Sequence, residues 1–320
     1  MLRRIISGRA GASGRKAAVG ICLDRAIAVA AASQNPEMPG RVQLAALPTE
    51  HDAQARTLGK LVNKLGMQGS DASLTLPLGS YKMLQMERPG VEDAELIDAV
   101  RFRLKDQLDY PPEDAALQVF DAPHPGDRGQ TAFVNVVAVP MRLVREHTVL
   151  LKKAGLLPRK ITIAELALRE LSMTRAGLEE PIATVFLNSR QGVIQVTRGR
   201  ELFLSRRIDY GLGSIKPLDA EATGIHMTLP LELRRTIDYF ESNYSVGHIR
   251  KVCALPADPM FSNLMQHASE FIGYKVEPLE LPADLVEEEG KNLGFGLPEA
   301  YLAVASAMGI AVAGDRKEVG

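Results

Sequence analysis

AAVGICLDRAIAVAAAS, residues 17–33, is the stretch on which the fold turns. Apolar residues fill nearly every position on both sides of a short polar break at Leu23-Asp24-Arg25-Ala26. That pattern predicts two strands joined by a tight turn. A hairpin near the start of a long chain can cradle phosphate, but only where glycines let backbone amides approach and a carboxylate stands at a set place. This one holds Gly20 in its strand and Asp24 in its turn. Asp bonds its own backbone in turns, so Asp24 reads as a turn former ahead of a metal ligand.

Composition narrows what surrounds the hairpin. A chain of 320 residues, 46% of them hydrophobic, has the length and the apolar content for two cores. Its 38 Lys and Arg nearly cancel its 39 Asp and Glu, so no large positive field draws it onto nucleic acid. Cys22 and Cys253 lie in apolar runs without CxxC or Cys/His spacing, and read as core residues of a reduced compartment. No run of 18 apolar residues and no signal-peptide core occurs, so a cytoplasmic location is expected. Residues 1–16 carry Arg3, Arg4, Arg9, Arg15 and Lys16 without an acid. They read as a loose basic arm; on a membrane surface each cation near anionic lipid would contribute about 1 kcal/mol.

Downstream of the hairpin the pattern predicts a third strand at 41–46, a helix over 52–65, a strand to Leu76, a break at Pro77–Gly79 and a strand to Met86. Residues 92–109 give the clearest helix, with Leu96, Ile97, Val100, Leu104 and Leu108 on one stripe, stopped by Tyr110-Pro111-Pro112. Two strands, a helix over 141–154, a strand and a helix over 164–175 follow. The first domain thus spans 17–175, with an inserted α+β unit at about 74–160. Residues 182–208 repeat the opening meander of three strands and start a second domain, 181–320; such an echo is the mark of a duplicated fold.

Other chemistry finds little support. Gly211-Leu212-Gly213 lacks the third glycine and the acid of a dinucleotide site. Gly294-Phe295-Gly296 reads as a turn into Pro298. The six histidines are scattered and none pairs at i, i+4 with another, so no metal is expected, and no Gly-x-Ser-x-Gly elbow supplies a hydrolase nucleophile.

The layout of two strand–helix domains with an insert in the first resembles the actin-like ATPase fold, an α/β architecture of two duplicated RNase H-like domains. Within it, "ELIDAVRFRLKDQLDYPPEDAALQVFD" and "LELRRTIDYFESNYSVGHIRKVCALP" resemble the MshI-type proteins of pilus biogenesis. More distantly they are similar to PilM of type IV pili and to the cytoplasmic part of the type II secretion L protein. The resemblance runs over nearly the whole chain from about residue 17, at modest identity.

That resemblance implies a scaffold at the inner face of the cytoplasmic membrane, which binds the short cytoplasmic tail of a PilN-like single-span protein. An assembly ATPase is a further expected partner, while the membrane surface is expected through the basic arm and nucleic acid is not expected on the charge balance. It also implies ATP between the domains, held by an Asp-x-Gly-Ser/Thr hairpin. Aligned on that pattern, this chain has Cys22, Asp24 and Arg25 at the first hairpin, Phe186 and Asn188 at the second, and Pro256 and Ala257 where the adenosine loop carries glycines. A degenerate ATPase without catalytic residues or cofactor is the expectation; ATP and magnesium enter only if the loops align otherwise. Two alternatives stand beside it, an active ATPase or small-molecule kinase with a divergent loop, and a component of a type II secretion platform. For the tail, the insert suggests Leu76, Tyr81 and Met83 as a wall and Arg101 and Arg103 as partners for acids.

Overall fold

The computed structural model describes residues 17–33, 42–48, 53–123, 132–176, 179–216, 224–279, 286–288 and 297–314. The basic arm at 1–16 and the Gly294-Phe295-Gly296 turn lie outside the described residues. Strands β1 (Ala17–Leu23), β2 (Ala26–Ser33) and β3 (Val42–Pro48) form an antiparallel meander, with Leu23 opposite Ile27 at the tip. Helix α1 (Gln54–Lys64) then leads to β4 (Asp71–Leu76), parallel to β1.

The inserted unit follows. It holds β5 (Lys82–Glu87), α2 (Leu96–Arg103), β6 (Ala115–Ala122) and β7 (Phe133–Pro140), with strand order β5-β7-β6. Helix α3 (Met141–Lys153), strand β8 (Leu157–Ile163) and helix α4 (Ala164–Ala176) return the chain to the first sheet, where β8 pairs parallel with β4. Because β4 and β8 belong to the first sheet, the insert proper runs from 77 to 140, tighter than the 74–160 expected.

Helix α2 is shorter than its sequence pattern. Leu96, Val100 and Leu104 are buried against the inserted sheet and satisfy the stripe. Past them the Lys82 ammonium donates to the carbonyl of Gln107 at 2.9 Å and to Asp109 at 3.0 Å, so that segment is tied to β5 in place of another helical turn.

The second unit carries β9 (Ile182–Leu187), β10 (Gly192–Arg198), β11 (Glu201–Ile208), α5 (Ile225–Asn243), β12 (Lys251–Leu255), α6 (Pro259–Ile272) and β13 (Val276–Pro278). Its five strands run β11-β10-β9-β12-β13. The chain then leaves this unit. Strand β14 (Val286–Glu288) pairs with β3, and the last helix, α7 (Pro298–Gly314), lies against β1, β2 and β4 beside α4. The division at 181–320 therefore misplaces these two elements, which complete the first sheet in the order β14-β3-β2-β1-β4-β8.

This return explains the opening sequence. β1 and β2 are apolar at successive positions because both their faces are covered, α7 lying on one of them. A side chain at Gly20 would stand 1.9 Å from the carbonyl oxygen of Ala303 and 2.3 Å from the amide of Ala307. Gly20 therefore lets helix and strand touch, and the small residues of β2 and α7 serve the same contact.

Candidate functional site

The tips of the two opening hairpins meet across the cleft between the units. Asn188 donates from Nδ2 to Asp24 Oδ2 at 3.2 Å, while its Oδ1 accepts from the amides of Arg190 and Gln191 at 2.9 and 2.8 Å. Asn188 thus shapes its own turn and holds the neighbouring one. Burial pushes the Asp24 carboxyl up, against the pull of Arg190, Arg25 and Asn188. Cys22 and Phe186, which stand at expected degenerate positions, are buried strand residues of the core. Burial also pushes the Cys22 thiol well up, with Glu299 and Asp24 adding to it.

The backbone amides that a phosphate would need already have a partner. The amides of Arg25 and Ala26 both donate to Oε1 of Glu299, each at 3.2 Å. Glu299 stands in the first turn of α7 and is 4% exposed. Burial raises its carboxyl, and the backbone donors oppose the rise. Two residues on, Tyr301 is fully buried, and its hydroxyl accepts from the amide of Ala257 at 3.3 Å, next to Pro256 at the end of β12. The last helix therefore reaches both the first hairpin and the expected adenosine loop from inside. In this arrangement the amides of Arg25, Ala26 and Ala257 are engaged by side chains of that helix. Among the described residues no group of three or more His, Cys, Asp or Glu could hold a metal ion.

A second cluster ties three parts together. The Tyr81 hydroxyl donates to Glu165 Oε2 and accepts from the amide of Ala164 at 3.1 Å. Arg207 of β11 donates to the carbonyl of Tyr81 at 3.2 Å, pairs with Glu165 Oε1 at 3.4 Å, and sets its guanidinium 4.5 Å from the Tyr81 ring centre. Burial pushes the Tyr81 phenol well up, with Glu165 adding to it. Insert, α4 and second unit are thus clasped at one point. Glu165 and Arg207 carry no motif in the sequence, since they come together only when β8, α4 and β11 are placed.

The third feature is a groove. A cavity of about 250 Å³ lies between the inserted sheet and β8, with Leu76, Val137, Val139 and Val144 among its apolar walls. Five consecutive residues, Arg159 to Ile163, line it. Neighbouring strand residues point to opposite faces, so a consecutive run means that the strand edge faces the space. β8 is the last strand of its sheet, and that edge pairs with no other strand among the described residues. Burial lowers the Lys160 ammonium at the rim.

The residues expected to hold a tail are dispersed. Leu76 lines the groove. Tyr81 is in the clasp, and Met83 lines a separate cavity toward β11. Arg101 donates to the carbonyls of Pro112 and Ala115, the latter at 3.2 Å, and Arg103 to that of Glu87 at 3.0 Å. Both arginines fasten α2 to its own unit.

No family model matches the sequence, and no curated protein is significantly similar to it. Solved structures are similar. A PilM-PilN type IV pilus biogenesis complex matches with a TM-score of 0.69 at 16% identity, over 95% of this chain and 100% of that one. A Bacteroides thetaiotaomicron protein with actin-like ATPase fold and unknown function matches at 0.51, with 9% identity over 82% of this chain and 91% of that one. The fold is actin-like. The cytoplasmic domain of EpsL, an inner-membrane component of the Vibrio cholerae type II secretion system, matches at 0.50 with 12% identity over 93% and 95%. Among the described residues no helix is long and apolar enough to cross a membrane.

Proposed function

We propose that this chain is a non-hydrolysing actin-like scaffold of type IV pilus assembly, of the PilM and MshI kind. In this reading it holds the cytoplasmic tail of a PilN-like inner-membrane protein in the groove beside β8. The observation that carries the reading is the groove itself, an apolar floor with a strand edge along one wall that pairs with no other strand among the described residues. An extended peptide adds main-chain bonds to such an edge and sinks alternate side chains into the floor. The likeness to the PilM-PilN complex supports this choice of partner and covers almost all of both chains.

The proposed loss of hydrolysis rests on Glu299, whose carboxylate occupies the hairpin amides, and on Tyr301, which occupies the amide of Ala257. The second hairpin carries Phe186 and Asn188 where the active pattern has its acid and its glycine, and among the described residues no group of three or more His, Cys, Asp or Glu could hold a metal ion. A role on a type II secretion platform is the second reading, supported by the EpsL likeness at the lower score. Calorimetric titration of the full chain with the N-terminal cytoplasmic peptides of candidate PilN-like and secretion-system proteins tests both. Saturable binding of the first alone supports the pilus reading, of the second alone the secretion reading, and of neither removes the scaffold role.

A further inference from the structure

A second cavity, of about 280 Å³, lies between the inserted sheet and the second unit. Met83, Leu84 and Gln85 of β5 line one side in succession, and Leu202 to Ser205 of β11 line the other. Consecutive lining again means strand edges. β5 and β11 are each the last strand of their sheets, so the two edges border one space. Asn135 and Arg207 complete the wall with Glu165.

The polar groups of this space are unevenly satisfied. Both oxygens of Glu165 are engaged, one by Tyr81 and one by Arg207, and its side chain is 1% exposed. Asn135 is 4% exposed, and its Nδ2 has no hydrogen-bond partner among the described residues. A buried amide donor left unpaired is costly, so a ligand that supplies an acceptor gains there. The charges of Glu165 and Arg207 already offset each other. A carboxylate brought in would face Glu165 without a free cation, whereas an uncharged acceptor meets no such repulsion.

We propose that this cavity is a slot for extended polypeptide, with main-chain partners on the β5 and β11 edges, and that Asn135 reads a side-chain carboxamide on it. The two cavities share a floor. Gln85 and Phe120 lie opposite Asn135, and Met83 and Gln118 opposite Val137, so these residues occupy one face of the inserted sheet. The origin of the polypeptide, a continuation of the tail in the first groove, rests on the function proposed above; the chemistry of the slot does not.

The test uses the isotope-labelled full chain in nuclear magnetic resonance titrations with capped amino acids. N-acetyl-asparagine N-methylamide is expected to shift the Asn135 side-chain amide and the Ser205 backbone amide saturably. The aspartate and leucine analogues are expected to leave both in place. Asn135→Val, which suits a valine-rich strand, and Asn135→Ala should each weaken the response at Ser205 about five-fold or more, the loss of one hydrogen bond. No saturable shift with the asparagine compound, or an equal one with aspartate or leucine, overturns the proposal. The tail peptide separates the two readings through the methyl groups of Val144 and Ile161 in the first groove. Shifts there with none at Asn135 keep the tail reading and overturn the slot, whereas a response to the capped asparagine without any to the tail keeps the slot and overturns the tail.

Discussion

Glu299 Oε1 accepts from the backbone amide of Ala26 at 3.2 Å, across 273 positions of sequence. The contact fastens the last helix to the first hairpin and engages two backbone amides of its turn. Truncation should expose how much the fold depends on it. Glu299→Ala leaves the amides of Arg25 and Ala26, the second of them in a buried residue, without their acceptor and is expected to lower stability by about 1–3 kcal/mol. Denaturant unfolding of the two proteins at neutral pH measures it.

The same carboxyl predicts a pH effect. Burial raises its folded-state pKa above the ordinary carboxylate range. A raised acid is protonated in both states at low pH, and as pH rises the unfolded chain ionises first, so stability falls until the folded value is passed. Asp24, raised for the same reason, adds a slope of the same sign. Glu299→Gln keeps an acceptor oxygen but cannot ionise, so the variant should lose less stability than the wild type between about pH 4 and the folded value. Melting temperatures across that range decide it; parallel profiles would mean that Glu299 does not titrate there.

The purified chain is expected to hydrolyse neither ATP nor GTP above background with magnesium, and Asp24→Ala is expected to change nothing. A phosphate-release assay checks both. Turnover that vanished with Asp24 would show a working site in spite of the occupied hairpin.

The hairpins, the meander of the second unit and the alternation of strands and helices were legible in the sequence because they are local. Each depends on the period of apolar residues and on turn formers such as Asp24 and Asn188. The place of the last helix was not legible. Pro298–Gly314 follows the second unit in the chain and carries apolar residues around its whole circumference, so nothing local says which sheet it covers. Gly20 offered a hint that could be read two ways, as a phosphate glycine or as a seat for a helix, and only the position of Ala303 separates them. Glu165, Arg207 and Glu299 were missed for the same reason, since each acts through a partner far away in sequence. For the arginines of α2, their spacing shows that they leave the apolar stripe but not that neighbouring carbonyls accept from them, which only the placement of Pro112, Ala115 and β5 reveals.

Gly20 supports a sharp contrast with another glycine. Gly20→Ala drives a methyl into the backbone of α7 and should cost about 1–3 kcal/mol or more, as overpacking does. Gly59, inside α1, has nothing within 4 Å of a built side chain, and Gly59→Ala should stabilise by about 0.5–1 kcal/mol. Unfolding midpoints of the two variants should move in opposite directions.

The clasp at Tyr81 is expected to depend on pairing more than on charge. Arg207→Met leaves Glu165 buried without its cation and should destabilise by about 1–3 kcal/mol, less than for a fully buried pair because Arg207 is partly exposed. Adding Glu165→Gln removes the stranded charge and should restore part of the loss. A double-mutant cycle by denaturant unfolding reads the coupling; additive losses would show that the two side chains act independently.

The groove separates the proposed tail site from the one suggested by the arginines of α2. Gln118 is exposed and lines the groove from β6, so Gln118→Trp fills the space without disturbing the core. It should weaken binding of the tail peptide about tenfold or more, equivalent to about 1.4 kcal/mol. Arg103 is exposed on α2, where the inserted sheet separates it from the groove floor, and surface charges there contribute little. Arg103→Glu should therefore leave the affinity within about twofold. Calorimetric titration of both variants against the wild type decides between the sites. Tight binding by Gln118→Trp together with loss in Arg103→Glu would move the peptide to α2, because Gln118 lines the groove beside β8 and Arg103 does not.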